Sequence, residues 1–408
     1  MVAMTASPTT LRRAQEHFRT PILESPFHPR LAAASRSNDW YSWAGYKAPA
    51  SIWDAELEYF AIRSQASVFD ISPMVKYRIE GPDAEACLDR LTLRRVSKLG
   101  VGRVQYTAWC DDEGKVLDDG TLFRLAQERF RICCQERHLP WFLDSAYGYD
   151  VRIEEETEAI AGLSLQGPTS FAVLRDAGFE GVETLKPFGL RDFAHDAGTV
   201  TISRTGFTGD LGYELFVDAA RALSLWDRLF AAGRLHGIVP IGYAALNNAR
   251  IEAGFIVANV DFVSAGHALR SDRVRTPDEI GLGWLVDPDK PHFNGKRAIL
   301  AARQAKTGHV LVGLEIEGNT PAEHAIVYHG KKREVGLVTS AVWSPLAKRN
   351  IAIATLERDY AGKMKDDLWV EIYAMRELRY VKLMKRAQIV DRPFVTLARR
   401  SATPPGTS

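Results

Sequence analysis

The chain has 408 residues, 25% of them charged, with Lys plus Arg at 52 against 51 for Asp plus Glu and a formal net charge of +1. That length suggests about two or three domains, and the even charge balance offers no basic face of the kind nucleic acid requires. No apolar run is long enough to span a bilayer, and "MVAMTASPTTLRRAQEHF" lacks a secretory apolar core, so a cytoplasmic protein with neither nucleic-acid nor membrane partner is expected.

Residues 1–38, rich in Ser, Thr, Pro, Ala and Arg, read as an extended arm packed on the body of the protein or on a partner. "DAELEYFAIRSQA" then has helical spacing, with Asp54 near its start and Leu57, Phe60 and Ala61 on one face. "VKYRIEG" alternates as a strand, and Pro82 and Asp83 after it suit a helix start. Further strands are expected at "VLDDGTLFRL", "RFRICCQ", "AGLSLQG", "TVTISRTG" and "YELFVD". Helices are expected between them at "PTSFAVLRDAG", "ARALSLWDRLFAAGRLHG" and "GYAALNNARIEAG". Strands and helices that interleave without a regular βαβ period indicate an α+β fold. From residue 308 short strands separated by Gly and charged turns read as a small all-β barrel over 308–398, with 399–408 as a tail. The four cysteines, Cys87, Cys110, Cys133 and Cys134, contain no CxxC pair. Adjacent Cys133 and Cys134 face opposite ways on a strand, so buried free thiols are expected, with no metal site and no disulfide.

Three polar clusters stand out. "RTGFTGDLGYE", Arg204 to Glu214, is rich in glycine, but it lacks the Lys and Ser/Thr of a P-loop and opens a strand where a dinucleotide loop opens a helix. A plain hairpin remains open, although Glu214 points away from Tyr213 and Leu215 and needs a donor if it is buried. In "QYTAWCDDEGKVLDDGTLFRL", adjacent Asp118 and Asp119 point to opposite faces of a strand, so one can face an interior. "NNARIEAGF" sets Arg250 one helical turn after Asn247, which alone would be an ordinary polar helix face.

In this order the clusters, together with "WAGYKAP", "SVFDISPM", "IEGPDA", "LSLQGP", "GKRAIL" and "GLVTSAVWSP", resemble the family of the glycine-cleavage aminomethyltransferase (T-protein) and its relatives, the tetrahydrofolate-dependent demethylases. "RTGFTGDLGYE" is the most specific element, close to the family's RTGYTGExGxE, and "CDDEGKVLDD" stands where the family has a Gly-Gly-x-x-Asp-Asp turn. The resemblance implies a T-protein-like multidomain fold around a central folate cavity, with residues 39–307 as two intertwined subdomains. It implies tetrahydrofolate as cofactor, with Glu214 on the pterin and Asp119 beside the nitrogens that receive the one-carbon unit. Tyr106, Thr121 and Arg250 complete the implied folate set, Arg250 as an ion-pair or folate-contacting residue.

The chain departs from the aminomethyltransferase pattern where a donor would sit. Leu246 and Asn247 replace an Arg-Asp pair, Pro73 replaces a histidine, and Thr396 replaces an arginine near the C-terminus. These departures point to an O-demethylase acting on a methoxy-substituted aromatic acid, a small-molecule donor. His267, followed by Tyr243, would protonate the leaving oxygen, and Trp53, Trp109, Phe207 and Asn247 would line the substrate pocket. The alternatives are an aminomethyltransferase, which would require a lipoyl-protein partner, an N- or S-methyl demethylase such as one for dimethylsulfoniopropionate, and a non-catalytic folate-binding protein of iron–sulfur assembly. The oligomeric state is left open.

Overall fold

Apolar alternation along "VKYRIE", "RFRICC" and "GYELFVD" produces strands buried on both faces, and these build two sheets packed against each other. The computed structural model describes residues 22–306, 308–362, 367–402 and 404. The described chain opens with α1 (His28–Ala34), β1 (Asp39–Trp43) and β2 (Tyr46–Ser51). Next come α2 (Ala55–Ser64), β3 (Ser67–Asp70), β4 (Val75–Glu80), α3 (Ala84–Leu91), β5 (Arg103–Cys110) and β6 (Val116–Ala126). They are followed by β7 (Arg129–Cys134), α4 (Leu139–Ser145), β8 (Arg152–Glu155), β9 (Ile160–Gln166) and α5 (Ser170–Asp176). Then β10 (Leu190–His195), β11 (Gly198–Ser203), β12 (Gly212–Asp218), α6 (Ala222–Gly233) and β13 (Val239–Pro240) lead to α7 (Tyr243–Glu252). After an irregular segment, α8 (Lys296–Ala305) precedes β14 (His309–Ile316), β15 (Ile326–His329), β16 (Arg333–Ser344), β17 (Arg349–Glu357), β18 (Leu368–Arg376) and β19 (Arg379–Val390).

One sheet has the order β5-β6-β7-β4-β8 and the other β10-β11-β12-β9-β3-β13, while β14 to β19 close into a six-stranded barrel. The chain starts the second sheet at β3, builds the first, and returns at β9, so the two units are intertwined. Within β12, Tyr213, Leu215 and Val217 pack with Leu163, Leu165 and Trp226 on the outer side. Phe216, on the opposite face, joins Phe69, Val104, Phe123 and Cys133 between the sheets. Phe123 meets Phe216 edge-on at 5.4 Å, and the Arg131 guanidinium lies 5.7 Å from the Phe216 ring. Cys134 packs instead with Leu122 and Trp109 behind the first sheet, so the adjacent thiols do face apart. All four cysteines are buried and free.

Two expectations are corrected. The segment read as an extended arm contains α1, and Phe27 and Leu31 are fully built into the core; residues 1–21 lie outside the described residues. In α2 the inward face is Glu58, Tyr59, Ala61 and Ile62, while Leu57 and Phe60 are 49% and 45% exposed. The reason is Glu58, whose buried carboxylate accepts from the amides of Ile52 and Trp53, both at 2.8 Å, and of Gly242 at 2.6 Å. Three backbone donors satisfy a carboxylate well enough to place it where an apolar side chain was expected. Asp54 caps the helix as read, accepting from Glu56 and Leu57.

Candidate active site

Strand register decides which side chains share the space between the sheets. Tyr106 lies opposite Thr121, and Ala108 opposite Asp119, so Tyr106, Asp119 and Thr121 share the inner face of the first sheet. On the second sheet Glu214 lies between Ser203 and Ser164, and Ser164 lies opposite Phe69, so that row faces inward as well. Asp119 and Glu214 therefore project from opposed faces into one region. Helix α7 closes it with Ala245, Leu246 and Ala249, and Tyr243 packs on the same cluster. Tyr41 of β1 packs at a tilt on Tyr243 at 5.1 Å, and Trp43 stacks on Phe69 at 5.9 Å.

The glycine-rich turn is built around Gln166. A Cβ on either Gly206 or Gly212 would come within 2.1 Å of the Gln166 amide oxygen, which accepts from the Thr208 hydroxyl at 2.9 Å. The turn thereby delivers Thr205, whose hydroxyl donates to Glu214 at 2.5 Å. Burial raises the Glu214 pKa and the Thr205 hydrogen bond opposes the rise. A carboxylate offers about four acceptor sites, so capacity remains for a second donor. The Ser164 hydroxyl beside it is buried without a hydrogen-bond partner among the described residues. A half-buried carboxylate next to an orphaned hydroxyl fits a flat ligand edge that carries both N–H donors and an acceptor, as the pterin of tetrahydrofolate does.

Asp119 accepts from the Tyr106 hydroxyl at 2.7 Å. Burial and the neighbouring charge of Asp118 push its pKa up to about 7, against the lowering effect of the Tyr106 bond. Asp118 turns the other way: it accepts from the amides of Asp119 at 2.8 Å and Glu136 at 3.0 Å, and lies 3.1 Å from His138 Nε2. Burial and Asp119 hold the Tyr106 phenol protonated.

Other expected site residues lie elsewhere or do other work. Arg250 is buried and its guanidinium is committed to protein partners: Asn247 Oδ1 at 2.9 Å, the Phe255 carbonyl at 3.0 Å, Asp261 at 2.6 Å and Ser340 Oγ at 2.7 Å. Four of its five N–H groups are thus used to join α7 to the barrel, which makes it an ion-pair residue and leaves folate contact aside. Asn247 serves this clamp. Trp109 is fully buried against His138 and Phe142, because both faces of β5 are covered. Trp53 is 39% exposed just before α2, and His267 sits exposed on the loop after Ser264. Phe207 stacks on Phe255 at 5.3 Å. Sequence reasoning missed Thr205, Ser164, Tyr41 and Asp261. Thr205 lay within "RTGFTGDLGYE" and Ser164 within "LSLQGP", whereas Tyr41 and Asp261 lay outside the motifs quoted above.

Comparison with known proteins agrees with this fold. Residues 30–290 match the GCVT N-terminal domain, and residues 309–395 match the glycine cleavage T-protein C-terminal barrel domain. An aminomethyltransferase of Caldanaerobacter subterraneus subsp. tengcongensis is 32% identical over 348 residues, covering 84% of this chain and 89% of the relative. An aminomethyltransferase of Bacillus subtilis is 31% identical, covering 86% and 94%. A trimethylamine-oxide aldolase of Ruegeria pomeroyi is 34% identical over 85% of this chain and 45% of its own length. The glycine cleavage aminomethyltransferase T of Bartonella henselae has the same fold, with a TM-score of 0.79 at 24% identity over 92% of this chain and 98% of that one. The chain belongs to the glycine-cleavage T-protein family.

Proposed function

We propose that the protein transfers a nitrogen-borne one-carbon unit, the methylene carbon of an aminomethyl group, to tetrahydrofolate. The observation that carries this reading is the pair of opposed carboxylates, Glu214 bonded to Thr205 and Asp119 bonded to Tyr106, set into one region between the sheets. The relatives' names support the choice of donor, because aminomethyl and trimethylamine oxide both carry their carbon on nitrogen. The methoxyaromatic reading loses support from the placement of its parts: its acid, His267, is exposed, and of its walls Trp109 is core and Trp53 lies at the surface.

When bound, tetrahydrofolate would supply the two nitrogens that accept the carbon, N5 of the pterin ring and N10 of the anilino link. Glu214 would hold the pterin by accepting from its exocyclic amine and ring N–H, with the Thr205 hydroxyl fixing the carboxylate's rotamer. Asp119, with its pKa pushed up to about 7, holds a proton in a large share of molecules at neutral pH. The Tyr106 hydroxyl occupies Oδ2, so that proton sits on Oδ1. Asp119 could then pass it to the departing amine as the carbon–nitrogen bond breaks, while the carbon–sulfur bond to the carrier also breaks and releases its free thiol.

The test incubates the protein and tetrahydrofolate separately with an aminomethylated lipoyl carrier, methoxybenzoates and dimethylsulfoniopropionate. Ammonia released in step with 5,10-methylene-tetrahydrofolate is the expected result. Appearance of 5-methyl-tetrahydrofolate with a free phenol would overturn the donor assignment in favour of O-demethylation.

A further inference from the structure

The turn after β7 returns the chain to β6, and "ERHLP" ends it with His138 at the N-cap position of α4, Pro140 following in the first turn. The imidazole is buried there, edge-on to Trp109 at 5.5 Å and 6.2 Å from Phe142. The His138 amide donates to the Tyr77 hydroxyl at 2.9 Å, which fixes the residue through its backbone. Its ring nitrogen Nε2 lies 3.1 Å from Asp118. An ionised carboxylate can only accept, so the tautomer with its proton on Nε2 is the one that fits.

Two adjacent aspartates on one strand are thereby treated differently. Asp118 meets three donors, the amides of Asp119 at 2.8 Å and Glu136 at 3.0 Å and the His138 ring. Asp119, on the other face, meets the Tyr106 hydroxyl. Donors favour the charged form of a carboxylate, and a fixed charge disfavours ionisation of a like group close by. The uneven supply of donors therefore decides which of the two keeps a proton. Two of the three donors to Asp118 belong to the backbone, and His138 is its one side-chain donor among the described residues. Burial and the Asp118 charge both raise the Asp119 pKa, in agreement with this division.

We propose that His138 is a positioning residue for proton transfer: its hydrogen bond keeps Asp118 charged, and that charge keeps the proton on Asp119. The inference rests on the reading of Asp119 as the acid that serves the departing amine. Other groups face the pair from the neighbouring elements. Cys134 of β7 and Tyr77 of β4 lie on the Asp118 side, and burial holds both protonated. Glu155 of β8, which acts on both, is paired with Arg137 at 3.2 Å. On the inner side Asp261, ion-paired with Arg250, acts on Asp119, and Arg392 acts on Tyr106.

The experiment follows Asp119 directly. Aspartate isotope-labelled at its side-chain carboxyl carbon gives an NMR signal for Asp119, identified by its loss in Asp119→Asn, whose titration midpoint is then read. The wild-type midpoint is expected at about 7. His138→Leu, and His138→Met should the leucine variant fail to fold, leave Asp118 short of a donor in apolar surroundings, where it takes up a proton more readily. The Asp119 midpoint should then fall by about one pH unit, and the high-pH limb of kcat should move with it while KM for tetrahydrofolate holds. His138→Gln, whose amide nitrogen reaches the place of Nε2, should keep the wild-type midpoint. Adding His138→Leu to Asp118→Asn should change nothing further, because the residue it acts through is already neutral. An unmoved midpoint in the donor-less variant, an equal fall in His138→Gln, or a further shift in the double variant would each overturn the proposal. An unmoved midpoint removes this inference alone. A midpoint that moves as expected, in a wild type that transfers nothing to tetrahydrofolate, removes the functional reading and the catalytic role of His138 with it.

Discussion

Asp119 owes its properties to the residue beside it. Asp118 is buried on the far face of β6, held by two backbone amides and His138, and its charge adds to burial in raising the Asp119 pKa to about 7. If Asp119 is the acid, kcat should fall as pH rises through about 7, where it loses its proton. Asp119→Asn should abolish that limb and lower kcat by about 100-fold or more. Asp118→Asn should move the limb to lower pH, and a limb that stays in place in the Asp118 variant would disprove the coupling. The same shift makes a stability prediction. Between the ordinary aspartate value of 3.8 and about 7, the folded chain holds a proton that the unfolded chain has released. Asp119 therefore makes the protein less stable as pH climbs through that window. Urea midpoints of the Asp119→Asn variant should lack this component of the decline. At Glu214 the expected loss is in binding: Glu214→Gln should weaken tetrahydrofolate by about 1.5–3 kcal/mol, roughly 10- to 150-fold, in equilibrium titration.

Helix α7 is held at both ends by charges that sequence reading assigned elsewhere or did not notice. Glu58 receives the Gly242 amide at its N-terminus. At its C-terminus Arg250 pairs with Asp261, whose second oxygen accepts from Thr339 and Ser340 of β16, each at 2.7 Å. Both partners are buried, so Arg250→Met leaves an uncompensated carboxylate and should cost about 3–5 kcal/mol in denaturant unfolding. Adding Asp261→Asn to that variant should recover a large part of the loss, and additive losses would show the pair is not coupled. The helix itself was legible from "GYAALNNARIEAG", whereas the work of Arg250 was not. Its partner lies 11 residues on, in an irregular segment whose path no periodicity reveals. Leu57 and Phe60 misled for a related reason: two faces of "AELEYFAIRS" are apolar enough, and the buried Glu58 carboxylate decides between them through backbone donors on other segments. Trp109 belongs to a strand covered on both sides, where alternation carries no directional information. Glu214 and Asp119 were legible because pleating fixes the opposite direction of each immediate neighbour once the strand is recognised.

At the scale of the whole molecule, the turn that carries Thr205 is fastened by residues far from it in sequence. Arg63 of α2 donates to the Thr208 carbonyl at 2.9 Å and to Glu252 of α7 at 2.7 Å, and lies 3.3 Å from Asp210. Arg399, read as the first residue of a tail, clasps both oxygens of the fully buried Asp210, and Arg204 donates to the Ala402 carbonyl. The C-terminal segment thus braces the geometry of the Glu214 side of the site after the barrel has closed. A bidentate guanidinium–carboxylate contact with one partner buried is worth more than a surface pair, on the order of 1.5–3 kcal/mol. Arg399→Ala should leave Asp210 short of donors and let the turn open more often. Amide exchange over residues 204–211 should then accelerate about 10- to 100-fold, in line with that loss. Tetrahydrofolate binding should weaken by a smaller factor, about threefold to tenfold, because Thr205 and Glu214 can re-form their bond when the ligand binds. The pH limb assigned to Asp119 should not move, since that residue stands on the other sheet. Exchange rates over the turn that match the wild type would show that the tail plays no part in holding it.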